Sequence, residues 1–157
     1  MPQKVEIVGL ISDTHGLLRE EAGRALIGSD LILHAGDVGA PEILETLKSI
    51  APVKAVRGNV DTGDWAKALP LTELIEVGGV AIYMLHILQD LDVDPVSSGI
   101  HIVVSGHSHK PGQSEKDGVL YVNPGSAGPR RFQLPVTVAR ISLRVRPWKV
   151  EYIPIEG

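Results

Sequence analysis

The chain has 157 residues, 43% hydrophobic and 22% charged, a composition typical of one globular domain. The absence of cysteine excludes disulfide scaffolds, thiolate metal sites and cysteine nucleophiles. A formal net charge of −4 makes extended nucleic-acid binding unfavourable, and the apolar runs are far shorter than the roughly 20 residues of a membrane span. Residues 1–4 lead directly into an apolar run without signal-peptide features. We therefore expect a single domain over residues 1–157, cytoplasmic and without a membrane partner.

The first sixty residues alternate between predicted strands and predicted helices. Apolar, β-branched runs predict strands at 5–12, 31–35 and 53–56. Helical spacing of apolar residues predicts helices at 17–27, with Gly28 at the end, and at 41–50, with Pro41 in the first turn. This βαβαβ order predicts a parallel sheet with helices packed against it.

The rest of the chain has the pattern of hairpins. Gly78-Gly79 separates predicted strands at 73–77 and 80–86, and Asp117-Gly118 separates those at 114–116 and 119–122. A buried strand is predicted at 100–105, and a last antiparallel pair at 136–143 and 145–155. The sequence therefore predicts an α/β protein in which two sheets pack together with helices outside.

Polar side chains follow five of the predicted strands, at separations of 21 to 27 residues from one strand end to the next. Because ligands bind beyond the carboxyl ends of strands in open α/β sheets, we expect these loops to meet at one edge. The side chains are two carboxylates, one amide and four imidazoles: Asp13, His15, Asp37, Asn59, His86, His107 and His109.

This set of oxygen and nitrogen donors suits manganese, iron, zinc or nickel and is too rich in nitrogen for a calcium site. Seven donors exceed the need of one metal with open positions, but they supply two metals if one carboxylate bridges. Each motif alone has a structural alternative, since Gly36-Asp37 and Gly58-Asn59 are also turn sequences. The most specific single motif is Gly106-His107-Ser108-His109, and all five in order favour a metal site.

The ordered motifs D-x-H, G-D, G-N, a histidine at a strand end and G-H-x-H resemble those of the calcineurin-like metallophosphoesterase superfamily. The short chain, the segment 57–61 and the Asn123-Pro124-Gly125-Ser126 loop resemble its branch of small bacterial and archaeal phosphodiesterases, which also contains the retromer-subunit relatives. The resemblance implies a four-layer α/β/β/α sandwich of two mixed sheets. It also implies a hydrolase that opens phosphodiesters by in-line attack of a hydroxide bridging two metals, with manganese favoured.

The resemblance assigns the ligands to two metals. It implies one metal on Asp13, His15, Asp37 and His109, and the other on Asp37, Asn59, His86 and His107, with Asp37 bridging. Asp37 and Asn59 are thereby also catalytic residues. His34 is interpreted as structural, and the acidic residues at 90, 92 and 94 as a solvated loop.

Two departures from the family pattern concern protonation of the leaving group. Val60 and Leu88 stand where relatives carry histidine. A metal-bound water, Asp61 or a leaving group that needs no proton could compensate, and Asp61 is therefore included among the catalytic candidates. The segment between His86 and His107 is also short, which predicts reduced structure over the substrate.

The basic residues near the end of the chain allow two interpretations. Arg130 and Arg131 could hold the substrate phosphate, and they could equally be solvated or lie at an interface; Lys110 has the same two interpretations. Arg140, Arg144 and Arg146 are expected on the exposed face of the last strand pair. They would otherwise support a nucleic-acid-binding module, which the acidic chain disfavours.

The expected partner is a small phosphoester, and a homo-oligomer is compatible with the sequence. A second hypothesis is a protein-interaction scaffold of the same fold with weak or absent catalysis. Intact Asp13, His15 and Asn59 argue against the scaffold, whereas Val60 and Leu88 support it.

Overall fold

A computed structural model describes residues 5–131 and 133–155. The prediction that no signal peptide is present concerns residues 1–4, which lie outside the described residues. The described chain forms two α-helices, α1 (Glu20–Ala25) and α2 (Pro41–Lys48), and two 3₁₀ turns (Ala66–Ala68 and Leu88–Asp90). Its ten strands are β1 (Ile7–Ile11), β2 (Leu31–His34), β3 (Val53–Ala55), β4 (Thr72–Val77), β5 (Val80–Leu85), β6 (Ile102–Val104), β7 (Gly112–Lys116), β8 (Val119–Asn123), β9 (Thr137–Ser142) and β10 (Lys149–Pro154).

The first sheet has the order β10-β9-β1-β2-β3. Strands β1, β2 and β3 are parallel, with Ile11 opposite His34 and His34 opposite Ala55, which confirms the predicted βαβαβ unit. Strand β9 runs antiparallel to both β1 and β10. The carboxyl ends of β1, β2 and β3 therefore lie at the same edge.

The second sheet has the order β4-β5-β6-β8-β7. Both predicted hairpins are confirmed, since Val77 pairs with Val80 and Lys116 pairs with Val119. Strands β5, β6 and β8 are parallel to one another, so the ends of β5 and β6 share an edge as well. Both sheets are mixed, as predicted.

The main core lies between the two sheets, where Leu10 and Leu33 of the first sheet pack with Ile82, Met84 and Ile102 of the second. These five side chains are fully buried, and each contributes about 1.5–3 kcal/mol by leaving water. A second cluster packs both helices against the other face of the first sheet. The molecule is thus an α/β sandwich of two mixed sheets.

The outer face of the second sheet is covered differently from the outer face of the first. Leu88, Leu91 and Val93 pack there against Leu85 and Val103. In the part of the chain that the structure describes, this layer consists of the 3₁₀ turn Leu88–Asp90 and irregular backbone, without an α-helix. The short segment noted in the sequence accordingly leaves part of this face open.

Two predicted boundaries differ from the structure by three residues or more. Helix α1 begins at Glu20, three residues late, because Arg19 is extended and its guanidinium donates to the carbonyl oxygens of Ala127 and Gly128. Strand β10 begins only at Lys149, and the preceding connection places Arg146 over the Trp148 ring at 4.4 Å.

The placement of the basic residues is corrected with that boundary. Arg144 lies in the β9–β10 connection with Arg146, and its Nε donates to Glu6 at 2.8 Å. Of the three arginines expected on the strand pair, only Arg140 lies in a strand. Within residues 5–131 and 133–155, no helix combines the length and hydropathy that crossing a membrane requires.

Candidate metal centre

The strand ends bring six of the seven candidate donors into two groups. One group contains Asp13, His15 and His109, the other contains Asp37, His86 and His107, and the ligand atoms within each group lie within 4.8 Å of one another. Asn59, the seventh donor, lines a cavity together with His86. Each group combines residues that follow strands of both sheets.

The carboxylate of Asp13 is fully buried, and its two oxygens have different surroundings. Oδ2 accepts hydrogen bonds from the Ser12 hydroxyl at 2.7 Å and from the His107 backbone N–H at 3.1 Å. Oδ1 has no hydrogen-bond partner. It lies 3.4 Å from Nε2 of His109 and 3.8 Å from Nε2 of both His15 and His86. Burial raises the pKa of Asp13, which shows how poorly the protein alone stabilises its negative charge.

The carboxylate of Asp37 faces both groups. Oδ1 accepts the Val60 backbone N–H at 3.0 Å. Oδ2 lies 3.1 Å from Nε2 of His86 and 3.7 Å from Nε2 of His15. Burial acts to raise the pKa of Asp37, but His86, the Val60 N–H and His15 outweigh it, and the pKa is lowered. Asp37 is therefore ionised and placed between the two groups.

Histidine 86 presents one ring nitrogen to the carboxylates. Its Nδ1–H donates to the Ala35 carbonyl oxygen at 2.7 Å, which fixes the tautomer and leaves the Nε2 lone pair facing Asp13 and Asp37. Burial acts to lower the pKa of His86, but the neighbouring carboxylates raise it overall. A cation at Nε2 would replace the proton that these carboxylates attract.

His34 supports the loops rather than the ligand set, as expected. It is fully buried, and burial lowers its pKa to about 3, so the ring is neutral. Nδ1 accepts the Gly36 backbone N–H at 3.1 Å, so Nε2 carries the proton and donates to Thr14 Oγ1 at 3.0 Å. The ring thus joins the loop after β1 to the loop after β2.

The backbone at these strand ends is unusual. Five candidate ligands have left-handed conformations, which residues other than glycine adopt rarely. They are Asp13 (φ 56°), His15 (48°), Asp37 (56°), His107 (71°) and His109 (65°). The loops are connected by backbone hydrogen bonds, such as those from the His15 N–H to the Asp37 carbonyl at 2.9 Å and from the Gly106 N–H to the His86 carbonyl at 2.9 Å.

Two glycines of the motifs allow the loops to approach each other. A side chain at Gly58 would overlap the backbone nitrogen and Oδ1 of Asp37, and one at Gly106 would overlap the Ser12 hydroxyl. These glycines are required by close packing at the carboxylates.

The donor set fits divalent cations. Asp13 Oδ1, His15 Nε2, His86 Nε2 and His109 Nδ1 are buried without hydrogen-bond partners, and such atoms cost free energy unless something satisfies them. They belong to one carboxylate and three imidazoles, ligand types that manganese, iron, zinc and nickel share. Burial lowers the pKa of His109, and the positive charges of Arg131 and His15 act in the same direction. A neutral His109 is available as a ligand.

Asp61, a catalytic candidate from the sequence, lies between two of the ligand loops. Its buried carboxylate accepts the backbone N–H groups of Val38 at 3.1 Å, Gly39 at 2.9 Å and Gly58 at 2.9 Å. It connects the loop that carries Asp37 to the loop that carries Asn59. These contacts belong to a positioning residue and favour the other two explanations of leaving-group departure over proton donation by Asp61.

The two arginines proposed for the substrate phosphate, Arg130 and Arg131, have different surroundings. Arg130 is exposed and donates to the Leu134 carbonyl at 3.4 Å, whereas Arg131 is exposed and near enough to influence His109. The sequence interpretation missed Arg57, whose buried Nε has no hydrogen-bond partner and whose side chain lines the cavity of Asn59 and His86. Its position directly before Gly58-Asn59 was the available signal.

Two further residues that orient the site were not singled out. Asn123 Nδ2 donates to the Gly106 carbonyl and to Ser108 Oγ, both at 3.1 Å. Ser126 Oγ donates to the Asp13 carbonyl at 3.1 Å. The loop 123–126, noted only for its resemblance, therefore holds both the first and the last ligand loops.

An α/β sandwich that collects carboxylates and imidazoles at its strand ends has the features of a metal-dependent hydrolase. The calcineurin-like phosphoesterase superfamily domain matches residues 7–145, and the chain belongs to this superfamily. A "probable metallophosphoesterase" from Methanothermobacter thermautotrophicus is 33% identical over 148 residues, covering 86% of each chain.

Two solved structures share the fold. A structure described as a novel archaeal phosphodiesterase has a TM-score of 0.79 at 20% identity, covering 94% of this chain and 99% of its own. Vps29 from Chaetomium thermophilum has a TM-score of 0.77 at 19% identity, covering 97% and 99%. The predicted family and fold are thereby confirmed.

Proposed function

We propose that the protein is a phosphodiesterase that uses two divalent metals. One would bind Asp13, His15, Asp37 and His109, and the other Asp37, Asn59, His86 and His107. The observation that carries the proposal is the pair of three-residue groups, joined by an Asp37 carboxylate oxygen 3.1 Å from one histidine and 3.7 Å from another. Manganese is the favoured metal, with iron, zinc or nickel as alternatives.

Bound metals would supply a nucleophile at neutral pH and offset the charge of the phosphoryl oxygens. The chain supplies the positioning. Ser12 and the His107 N–H fix one oxygen of Asp13, so the other remains directed at the site. Asn59 and Arg57 line the adjoining cavity of 300 Å³, where an amide and a guanidinium can hold phosphoryl oxygens. Arg131 is the better placed of the two predicted arginines.

The leaving group limits the substrates. Val60 is 46% exposed beside Asn59 and has no proton to give, and Leu88 is equally apolar. The Asp61 oxygens already accept backbone N–H groups. We infer that the enzyme favours diesters whose leaving group departs without protonation, such as an aryl or nucleotidyl group.

The test is turnover of bis(4-nitrophenyl) phosphate with each of the four metals, compared with the monoester 4-nitrophenyl phosphate. Activity should need metal, favour the diester and fall at least 100-fold in Asp37→Asn and His107→Ala. The matched control is Asp64→Asn, because the Asp64 side chain is fully exposed and belongs to neither donor group. Equal turnover of the Asp37 variant and the control would contradict the proposal, as would inactivity on both esters with every metal.

The scaffold hypothesis gains support from the missing proton donors and from the shared fold with Vps29. It predicts metal binding by calorimetry without turnover of any ester. The assay above therefore separates the two hypotheses. The native metal, a cytoplasmic location and a homo-oligomeric state stay predictions from the sequence.

A further inference from the structure

A cleft of 340 Å³ opens beside His107 on the outer face of the second sheet, and we call it the His107 cleft. Its volume falls within the range of about 300–1,000 Å³ found for small-molecule sites. The residues that matter for its chemistry are His107, Lys110 and Tyr121.

The thin outer layer explains why the cleft is open. The irregular segment after His86 covers Leu85, Ile100, Val103 and Val119, but Tyr121 on the neighbouring strand stays partly exposed. A partly exposed aromatic ring therefore lines the same cleft as a candidate metal ligand.

The charge that lines the His107 cleft is positive. Among the described residues that line it, Lys110 is the only Lys, Arg, Asp or Glu, and it has no ion-pair partner within 4 Å. The lining thus offers a positive charge and an aromatic face.

The neighbouring cavity of Asn59 and His86 has a different charge. Arg57, Asp90 and Asp92 line it, so its charged side chains sum to −1, and both aspartates are exposed. A phosphate centred on the metal groups therefore has one cavity beside His107, with an unpaired lysine, and another beside His86, with two carboxylates against one guanidinium. A diester has two arms, and these cavities distinguish them by charge.

We propose that the His107 cleft binds one arm of the phosphodiester and selects an arm carrying a flat ring and a negative charge, the chemistry of a nucleotide. Tyr121 stacks on the ring and Lys110 pairs with the anion. The other arm, neutral or cationic, lies toward Asp90 and Asp92. The orientation of the diester rests on the proposed function, but binding to the cleft can be measured without turnover.

The experiment is calorimetric titration of the manganese-loaded protein with thymidine 3′,5′-bisphosphate, phosphocholine and inorganic phosphate. Lys110→Glu should weaken thymidine bisphosphate about tenfold and leave phosphocholine unchanged or tighter. Tyr121→Ala should weaken thymidine bisphosphate by a similar factor and leave inorganic phosphate unchanged. The Lys110 effect should shrink in 0.5 M salt.

The matched control is Lys116→Glu, the same charge change on the exposed end of β7 outside the cleft. The inference is overturned if Lys110→Glu and Lys116→Glu have equal effects, or if wild-type protein does not prefer thymidine bisphosphate to phosphocholine. If the variants discriminate as expected but bis(4-nitrophenyl) phosphate is not hydrolysed, the cleft is a nucleotide site and the proposed phosphodiesterase fails. If hydrolysis occurs and the variants do not discriminate, only the inference fails.

Discussion

Replacement of Asp61 by asparagine separates positioning from proton donation. The Asp61 carboxylate accepts three backbone N–H groups at 2.9–3.1 Å. If the asparagine side-chain oxygen still accepts the Val38 and Gly58 N–H groups, its NH₂ group faces the Gly39 N–H. Two hydrogen-bond donors then meet without an acceptor. Losing charge-assisted bonds worth about 1.5–3 kcal/mol each and leaving one donor unsatisfied should cost about 2–4 kcal/mol in the free energy of unfolding. For a chain of this size that lowers Tm by roughly 5–15 °C.

The assay compares two leaving groups. A positioning role predicts that Asp61→Asn lowers kcat/KM by a similar factor for bis(4-nitrophenyl) phosphate and for an alkyl diester such as thymidine 5′-methyl phosphate. It also predicts weaker metal binding, because the Asp37 and Asn59 loops lose their connection. A general acid would instead matter about 10²–10⁴-fold for the alkyl diester and little for the nitrophenyl ester. Selective loss on the alkyl diester with unchanged stability and metal affinity would refute our reasoning.

Three other substitutions test the surroundings of the site. Gly58→Ala should abolish metal binding by calorimetry, because its methyl group would overlap Asp37, whereas Gly112→Ala, with nothing within 4 Å of its added carbon, should bind normally; equal binding would contradict the close-packing argument. Burial lowers the pKa of His34 from 6.5 in the unfolded chain to about 3 in the folded protein. Between these values the unfolded chain binds a proton that the folded protein does not, so the free energy of unfolding decreases as the pH falls below 6.5. In urea unfolding of the metal-free protein, the free energy of unfolding should be about 2 kcal/mol lower at pH 5 than at pH 7 because of His34, and His34→Gln should lack this difference. An identical pH dependence in the variant would show that His34 does not cause it. Val60→His should raise turnover of alkyl diesters about tenfold or more and leave nitrophenyl esters unchanged, and a gain on both would indicate an effect other than proton donation.

The ligands could be predicted from the sequence because strand ends of a parallel sheet share an edge. Asp13, Asp37 and Asn59 each follow a strand of one βαβαβ unit, so sequence order alone places them together. The two hairpins could be predicted equally well, since a two-residue Gly-Gly or Asp-Gly turn fixes the register of the two strands that it joins. The superfamily resemblance then divided the donors into the two groups that the structure shows as Asp13/His15/His109 and Asp37/His86/His107.

What the sequence could not supply is the path of the loops. The bonds of Asp61 to Val38 and Gly39 span 23 and 22 residues, and nothing local distinguishes such a carboxylate from a proton donor. The late start of α1 likewise depends on the distant carbonyls of Ala127 and Gly128, which overrides helical spacing at 17–19. Side chains that satisfy remote backbone groups are settled only by tertiary structure.

The composition of the two metal groups makes the site depend on how the sheets pack. One group joins Asp13 and His15 of the first sheet to His109 of the second, and the other joins Asp37 to His86 and His107. Neither sheet alone could complete either group. The left-handed ligands cost free energy, on the order of 1 kcal/mol or more each, that the intersheet core and the hydrogen bonds between loops must offset. A shift between the sheets would therefore move the donors of both groups relative to each other, even if every ligand were retained.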